Sequence, residues 1–159
     1  MLGKRLTRRC TGRAKGGRAG ERPSRWTLVS AGFLMAKGKP KRDPEREHRI
    51  RMEIVVDANG PEEQAMGWYY YLQDELQFPF TATCIVKRAI SPLQVRDEVD
   101  VIGMAGEEEC EHEMFVTMRW DKDGLAVPLS QLKPIGMADG RTKRAVQDWH
   151  YWVRMGYEF

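Results

Sequence analysis

The 159-residue sequence has few cysteines and no long apolar run. Its three cysteines, Cys10, Cys84 and Cys110, are too few and too odd in number for a disulfide framework. That usage favours a reducing compartment, so we expect a cytoplasmic protein. No stretch reaches the roughly 18 apolar residues that a membrane span needs. The longest apolar patch, residues 26–35, is interrupted by two hydroxyl residues and a glycine, so no membrane partner is expected.

Recognisable catalytic motifs are also absent. The sequence has no nucleophile elbow, phosphate loop, dinucleotide-binding glycine pattern or His-Glu-x-x-His. Of the histidines, His48 falls on the polar face of a predicted helix and His150 lies within an aromatic helix, where structural roles are commoner. Cys110 and His112 lack the Cys-x-x-Cys or His-x-x-x-His type of spacing that zinc sites use. We therefore predict that the protein is not an enzyme.

Charge is divided unevenly along the chain. Residues 1–42 carry 13 Lys and Arg and one acid, whereas residues 43–159 carry 13 bases and 22 acids. The two segments therefore have net charges of +12 and −9, which account for the overall +3. The first segment is rich in Gly and Arg and has too few apolar residues to offset its ordering entropy. We predict a disordered basic tail over residues 1–42 and an acidic domain over residues 43–159.

Three interpretations of the basic tail stay open. Clustered arginines could bind nucleic acid or an anionic surface, and an Arg-rich, acid-poor segment also resembles a transit peptide. The favoured interpretation is that the true start lies near Met35, because residues 36–41 read like an ordinary polar lead-in. A basic tail alone is weak evidence for nucleic-acid binding, so no nucleic-acid partner is predicted.

Hydrophobic spacing predicts an α+β fold in which two helices precede a set of strands and a third helix ends the chain. Asp43 before Pro44 predicts the start of a helix that runs to about Asp57. A second helix is predicted from Pro61 until a Phe-Pro pair stops it. Short segments that alternate with period two predict a small twisted barrel, with strands at residues 80–87, 98–104, 114–120, 125–128 and 133–135. Thr142 is the predicted cap of the last helix.

The densest chemical signal is an acidic segment between two predicted strands. It places five carboxylates within seven residues, namely Glu107, Glu108, Glu109, Glu111 and Glu113. Like charges this close repel one another, so the segment is costly unless water solvates it or a cation binds. Ca²⁺ accepts about six to eight oxygen ligands with loose geometry, which such a segment can supply. A solvated acidic surface is the alternative.

Other carboxylates fall at predicted helix ends, among them Asp57, Asp74 and Glu75. If the helices pack against the barrel, these side chains could face the acidic segment.

The sequence does not contain an EF-hand calcium loop. Residues 121–124 begin like a calcium loop, but position twelve is Leu132 instead of the bidentate Glu, so they predict a hairpin turn.

Several unusual motifs are distributed along residues 45–159. They are the segments at 53–58, 67–72, 78–80, 103–105, 126–129 and 148–152. In these motifs the sequence resembles the bacterial calcium-binding proteins of the CcbP type, first known from cyanobacteria. The resemblance implies a small acidic Ca²⁺ binder that buffers or regulates free calcium. The implied ligands are Asp74 and the acids of residues 107–113, with Glu75 and Asp57, whereas the basic tail departs from the acidic family pattern.

The sequence thus predicts a monomeric, non-EF-hand Ca²⁺-binding protein with a small SH3-like antiparallel barrel flanked by helices. Its expected metal ligands come from eight acids: Asp57, Asp74, Glu75, Glu107, Glu108, Glu109, Glu111 and Glu113. Binding should weaken as pH falls, because protonated carboxylates lose ligand charge. The alternative is a small-barrel binding module whose acidic face takes a basic protein or peptide.

Overall fold

A five-stranded antiparallel sheet covered by helices makes up residues 40–159, the part of the chain that the structure describes. In this computed structural model the α-helices are α1 (Pro44–Arg49), α2 (Pro61–Glu75) and α3 (Gly140–Met155). The strands are β1 (Phe80–Cys84), β2 (Glu98–Met104), β3 (Phe115–Met118), β4 (Leu125–Pro128) and β5 (Leu132–Pro134). The α+β class is therefore the observed one. Within the described residues, no helix is both long and apolar enough to cross a membrane. Of the basic tail predicted for residues 1–42, residues 1–39 lie outside the described part of the chain.

The sheet is open, and the predicted closed barrel is not confirmed. Its hydrogen-bonded order is β4-β3-β2-β1-β5, so β4 and β5 form opposite edges. A 3₁₀-helix of three residues, Leu129–Gln131, connects these two edges directly. Because so short a link spans only about 14 Å, the sheet must curve until its edges approach each other at that end. The edge strands still do not pair within residues 40–159, since β5 is only three residues long and pairs with β1 alone.

The core lies between the sheet and the helices α2 and α3. Trp68 of α2 is fully buried, and its ring centroid lies 5.2 Å from that of Trp149 and 5.5 Å from that of Trp152 on α3. Edge-on and tilted aromatic pairs at these distances add to the stability gained by burying apolar area. These buried tryptophans therefore join α2 to α3 within the core.

The first helix is shorter than predicted. Asp43 caps α1 by accepting a hydrogen bond from the backbone N–H of Arg46 at 3.2 Å. After Arg49 the helix continues as a π-helical turn, Ile50–Ile54, whose end residues are buried. Asp57 then has a left-handed backbone with φ of 56°, so the helix cannot extend to it.

The start of α3 corrects a second prediction. The side chain of Asp139 caps the helix, accepting a hydrogen bond from the backbone N–H of Arg141 at 2.9 Å. Thr142 lies inside the helix and is fully buried. Its hydroxyl accepts a hydrogen bond from the backbone N–H of Gln77, just after α2, and therefore joins the two helices. Gly156 ends α3 in the left-handed conformation, with φ of 74°.

Candidate metal site

The acidic segment is fixed to α2 by two tyrosines. It begins with a 3₁₀-helix, Glu107–Cys110, between β2 and β3. The hydroxyl of Tyr69 donates to the carbonyl oxygen of Ala105 at 3.2 Å, and that of Tyr70 donates to Glu107 Oε1 at 3.0 Å. The segment therefore has a defined position beside α2, although four of its five carboxylates are on exposed residues.

The other end of the 3₁₀-helix is held by Cys110. This residue is fully buried, and its Sγ accepts a hydrogen bond from the backbone N–H of Phe115 at 3.4 Å. Burial raises the pKa of the Cys110 thiol. The thiol points into the protein and stays protonated, so it is not available as a thiolate ligand for a soft metal. His112, two residues later, is exposed.

Four acids of the segment are free of cationic partners in the described part of the chain. Glu107, Glu108, Glu109 and Glu111 are exposed, and none of them pairs with a Lys, Arg or His of residues 40–159. The hydrogen bond to Glu107 is the largest cause of a raised pKa at Tyr70, so the phenol keeps its proton and remains a donor. Among the described residues, these carboxylates therefore keep their negative charge unpaired, and the hydrogen bond from Tyr70 to Glu107 is their one side-chain contact.

Asp74 lies on the same side of α2 as Tyr70. It follows Tyr70 by four residues, which places the two side chains about 5–6 Å apart at their Cβ atoms. Asp74 is exposed and has no ion pair with another described residue. Since Tyr70 contacts Glu107, the helix presents Asp74 on the side of the protein where the acidic segment lies.

Two of the predicted ligands have other partners. Glu75 accepts hydrogen bonds from Arg141 Nη2 at 2.7 Å and from Arg144 Nη2 at 3.3 Å. The hydrogen bond from Arg141 is the main reason why the pKa of Glu75 is lowered. Glu113 accepts from Arg88 at 2.7 and 2.9 Å, and the hydroxyl of Ser130 donates to it at 2.6 Å. Both carboxylates are already neutralised, so a metal ion would have to displace a guanidinium group.

The structure does not assemble the eight predicted ligands into one cluster. Across residues 40–159, no group of three or more His, Cys, Asp or Glu side chains is placed to hold a metal ion. Asp57 lies in the turn before α2, where its backbone carbonyl accepts a hydrogen bond from Asn59 Nδ2. Any site that uses these acids must therefore be completed by movement of exposed side chains and by water.

Tyr70 is the residue at this site that sequence reasoning missed. It is not among the ligands predicted from the sequence, and its side chain is 51% exposed. Its helical position gave a usable signal, because it lies outside the apolar stripe of Ala65, Trp68 and Leu72. An aromatic residue off the buried stripe and beside an acidic segment is a candidate hydrogen-bond donor.

Comparisons with known proteins agree with the fold. The model of the CcbP family, described as calcium binding, matches residues 48–153. The crystal structure of Anabaena CcbP is 42% identical, with a TM-score of 0.67, over 76% of this chain and 98% of that one. A calcium-binding protein in its calcium-binding form is 43% identical, with a TM-score of 0.66, over 74% and 96%. No curated protein gives a significant match. With a family model matching more than half of its length and solved relatives above 40% identity, the chain belongs to the CcbP family.

Proposed function

We propose that this protein binds Ca²⁺ through the exposed carboxylates of Glu107, Glu108, Glu109 and Glu111, together with Asp74. The observation that carries the proposal is the hydrogen bond from Tyr70 to Glu107, which fixes the acidic segment beside the face of α2 that bears Asp74. Membership of a calcium-binding family, and the resemblance to a protein in a calcium-binding form, supply the choice of ion.

The donor set fits a hard divalent cation. All five side chains offer carboxylate oxygens, and the thiol of Cys110 points into the protein. Calcium tolerates irregular geometry and keeps some water ligands, so exposed carboxylates that are not yet converged can bind it. Binding would also relieve the repulsion among the clustered acids.

Glu75 and Glu113 have a supporting role in this proposal. Their guanidinium partners lie on α3 and in the connection between β1 and β2, so the two acids attach the site to the rest of the protein. Replacing those partners with Ca²⁺ would leave Arg88 or Arg141 without its carboxylate. Asp57 stays a prediction from the sequence.

The exposure of the ligands favours weak and rapidly reversible binding. Calcium affinity rises with the number of charged ligands and with the rigidity of the site, and the residues described here form no rigid cage. Such a site suits a protein that buffers or regulates free calcium. A cytoplasmic monomer with this role is part of the proposal.

Amide substitutions test the ligands directly. We expect Asp74→Asn, and separately Glu109→Gln combined with Glu111→Gln, to weaken calcium binding by about tenfold or more, or about 1.4 kcal/mol. Each change removes ligand charge but keeps nearly the same side-chain volume. Isothermal titration of the full-length protein with calcium, and then with magnesium, measures the effect.

Asp121→Asn combined with Asp123→Asn is the matched control. These exposed acids lie in the turn before β4, and the double variant loses the same charge as Glu109→Gln with Glu111→Gln. Its calcium affinity should stay within about twofold of the parent, as expected for distant exposed charges. Equal weakening in the two double variants would show that net charge, not a site, attracts calcium. If the protein did not respond to calcium but was steeply sensitive to monovalent salt, a module that binds basic proteins would be favoured instead.

The calcium affinity should also fall with pH. Protons compete with Ca²⁺ for carboxylates, so we expect about threefold or greater weakening between pH 7.5 and pH 5.5. The ion pair between Glu75 and Arg141 should stay intact over this range, because the pKa of Glu75 is lowered. The stability that this pair contributes is lost only when the pH falls through that lowered pKa. Titrations at both pH values measure the change, with circular dichroism to verify folding. Equal affinities would contradict a carboxylate site.

A further inference from the structure

Three neighbouring cavities follow one side of α3. Their volumes are about 250, 300 and 380 Å³, in order from the start of the helix. His150 lines the first and second cavities, and Arg154 lines the second and third. Adjacent cavities share these side chains, and we call the three together the basic groove.

Six cationic side chains line the basic groove beside polar and apolar residues. They are Lys41, Arg42, Arg46, Lys133, Lys143 and Arg154. Asp43 is the one carboxylate among the described residues that line it, and it caps α1 while lying 3.9 Å from Arg46 Nε. Lys133 and Arg154 form no ion pair with any acid in residues 40–159. The groove is therefore a positive surface on a domain with net charge −9.

His150 lies at the junction of the first two cavities. Its pKa is lowered, chiefly by burial and also by the positive charges of Arg154 and Lys133. Ser130, which lines the second cavity, donates a hydrogen bond to Glu113, and Arg88 neutralises that carboxylate. No uncompensated carboxylate described in the structure opposes the positive charge at this junction.

The middle of the groove is apolar as well as positive. Ile85 and Val153 line the second cavity and are 43% and 39% exposed. From Lys143 to Arg154 the helix rises by about 16 Å, the length of an extended peptide of about five residues. The aromatic side chains in the described lining are Tyr151, which is 1% exposed, and His150, which is partly buried, so neither presents a fully exposed ring on which a base could stack. These features fit a polypeptide better than a nucleic acid.

We propose that the basic groove binds an acidic, partly apolar peptide segment of a partner protein. Carboxylates of the segment would pair with Lys133, Lys143 and Arg154, and an apolar side chain between them would pack against Ile85 and Val153. Charge complementarity of this kind determines which partner is accepted and how fast it associates. The proposal is independent of the calcium site, which uses none of these residues.

A chemical cross-link can locate the bound segment. The probe is a fluorescein-labelled peptide of alternating glutamate and leucine, six residues long, added to the full-length protein in about 0.15 M salt to limit long-range attraction. A carbodiimide joins peptide carboxylates to lysine amines that touch them, and mass spectrometry identifies the lysines. We expect cross-links at Lys133 and Lys143. Cross-links confined to the lysines before residue 40 would overturn the proposal.

Charge reversal provides the second test. Lys133→Glu combined with Arg154→Glu should weaken peptide binding by about tenfold or more, while its calcium affinity stays close to that of the parent. The matched control is Arg119→Glu with Lys122→Glu, which changes net charge equally at exposed positions around the turn between β3 and β4. Equal weakening in both double variants would overturn the proposal.

Competing ligands decide the class of partner. An eight-nucleotide single-stranded DNA and vesicles containing anionic phosphatidylserine are titrated against the same variants. Binding of either one at the basic groove, with no binding of the peptide, would also overturn the proposal. Val153→Ser should weaken peptide binding about threefold, because the substitution removes the apolar contact without changing charge.

Discussion

Replacement of Asp148 by alanine is expected to lower the free energy of unfolding by about 3–5 kcal/mol. The carboxylate of Asp148 is completely buried on α3 and is surrounded by donors from two other helices. Arg49 donates to it through Nη2 at 2.6 Å and through Nε at 3.0 Å, and the hydroxyl of Tyr71 donates at 3.0 Å. In addition, Arg46 Nε lies 3.0 Å from Oδ1 of Asp148.

The size of this effect comes from what the substitution leaves behind. Without Asp148, the guanidinium groups of Arg46 and Arg49 keep their charges at a site where their side chains are only 21% and 23% exposed. Burial and the charge of Asp148 raise the pKa of Tyr71, so its hydroxyl is a donor that would also lose its acceptor. The variant therefore separates α1 and α2 from α3 at one point.

Urea unfolding of Asp148→Ala, compared with Glu75→Ala, measures the difference. Glu75 also accepts from two arginines, but Arg141 and Arg144 are more than half exposed. Its removal should cost about 1 kcal/mol or less, as is usual for ion pairs near solvent. A cost for Asp148→Ala no larger than that for Glu75→Ala would show that the buried carboxylate does not organise the three helices.

The helices and strands were predictable because their signals are local. The apolar spacing that predicts α2 also identifies its buried residues, and the turn at 121–124 leads into β4 as expected. Closure of the sheet was not predictable, because it depends on how strands at opposite edges meet after the chain has curved. The short 3₁₀-helix Leu129–Gln131 determines only that the two edges approach each other.

At the candidate site, too, local features were predictable from the sequence and tertiary contacts were not. Exposure of Glu107, Glu108 and Glu109 follows from a run of charges, which is a local property. Two ion pairs depend on the tertiary fold: Glu75 pairs with Arg141, 66 residues away, and Glu113 pairs with Arg88, 25 residues away. Sequence alone gives the number of acids near a site, but only the packing of α3 and of the loop after β1 shows which ones are already neutralised.

Gly67→Ala is expected to destabilise the protein by about 3 kcal/mol, although alanine is the better helix former. Gly67 lies in the middle of α2, where alanine in place of glycine would by itself add about 1 kcal/mol of stability. A Cβ at this position would overlap with the backbone carbonyl oxygen of Ile54, at the end of the π-helical turn. That oxygen belongs to the backbone of a buried residue, so no change of side-chain rotamer relieves the overlap. Forcing the two helices apart should therefore outweigh the gain in helix propensity, since overpacking a core costs about 1–3 kcal/mol and occasionally more.

Gly140→Ala is the control for this substitution. Gly140 is the first residue of α3, and a Cβ there would meet no atom of the described residues within 4 Å. Its backbone is outside the left-handed region, so alanine should leave the stability unchanged or raise it by up to about 1 kcal/mol. Urea unfolding of both variants separates helix propensity from close packing. If Gly67→Ala were as stable as Gly140→Ala, the contact between α2 and the π-helical turn would be loose enough to accept a methyl group. The position of Tyr70, one turn further along α2, would then not depend on that contact.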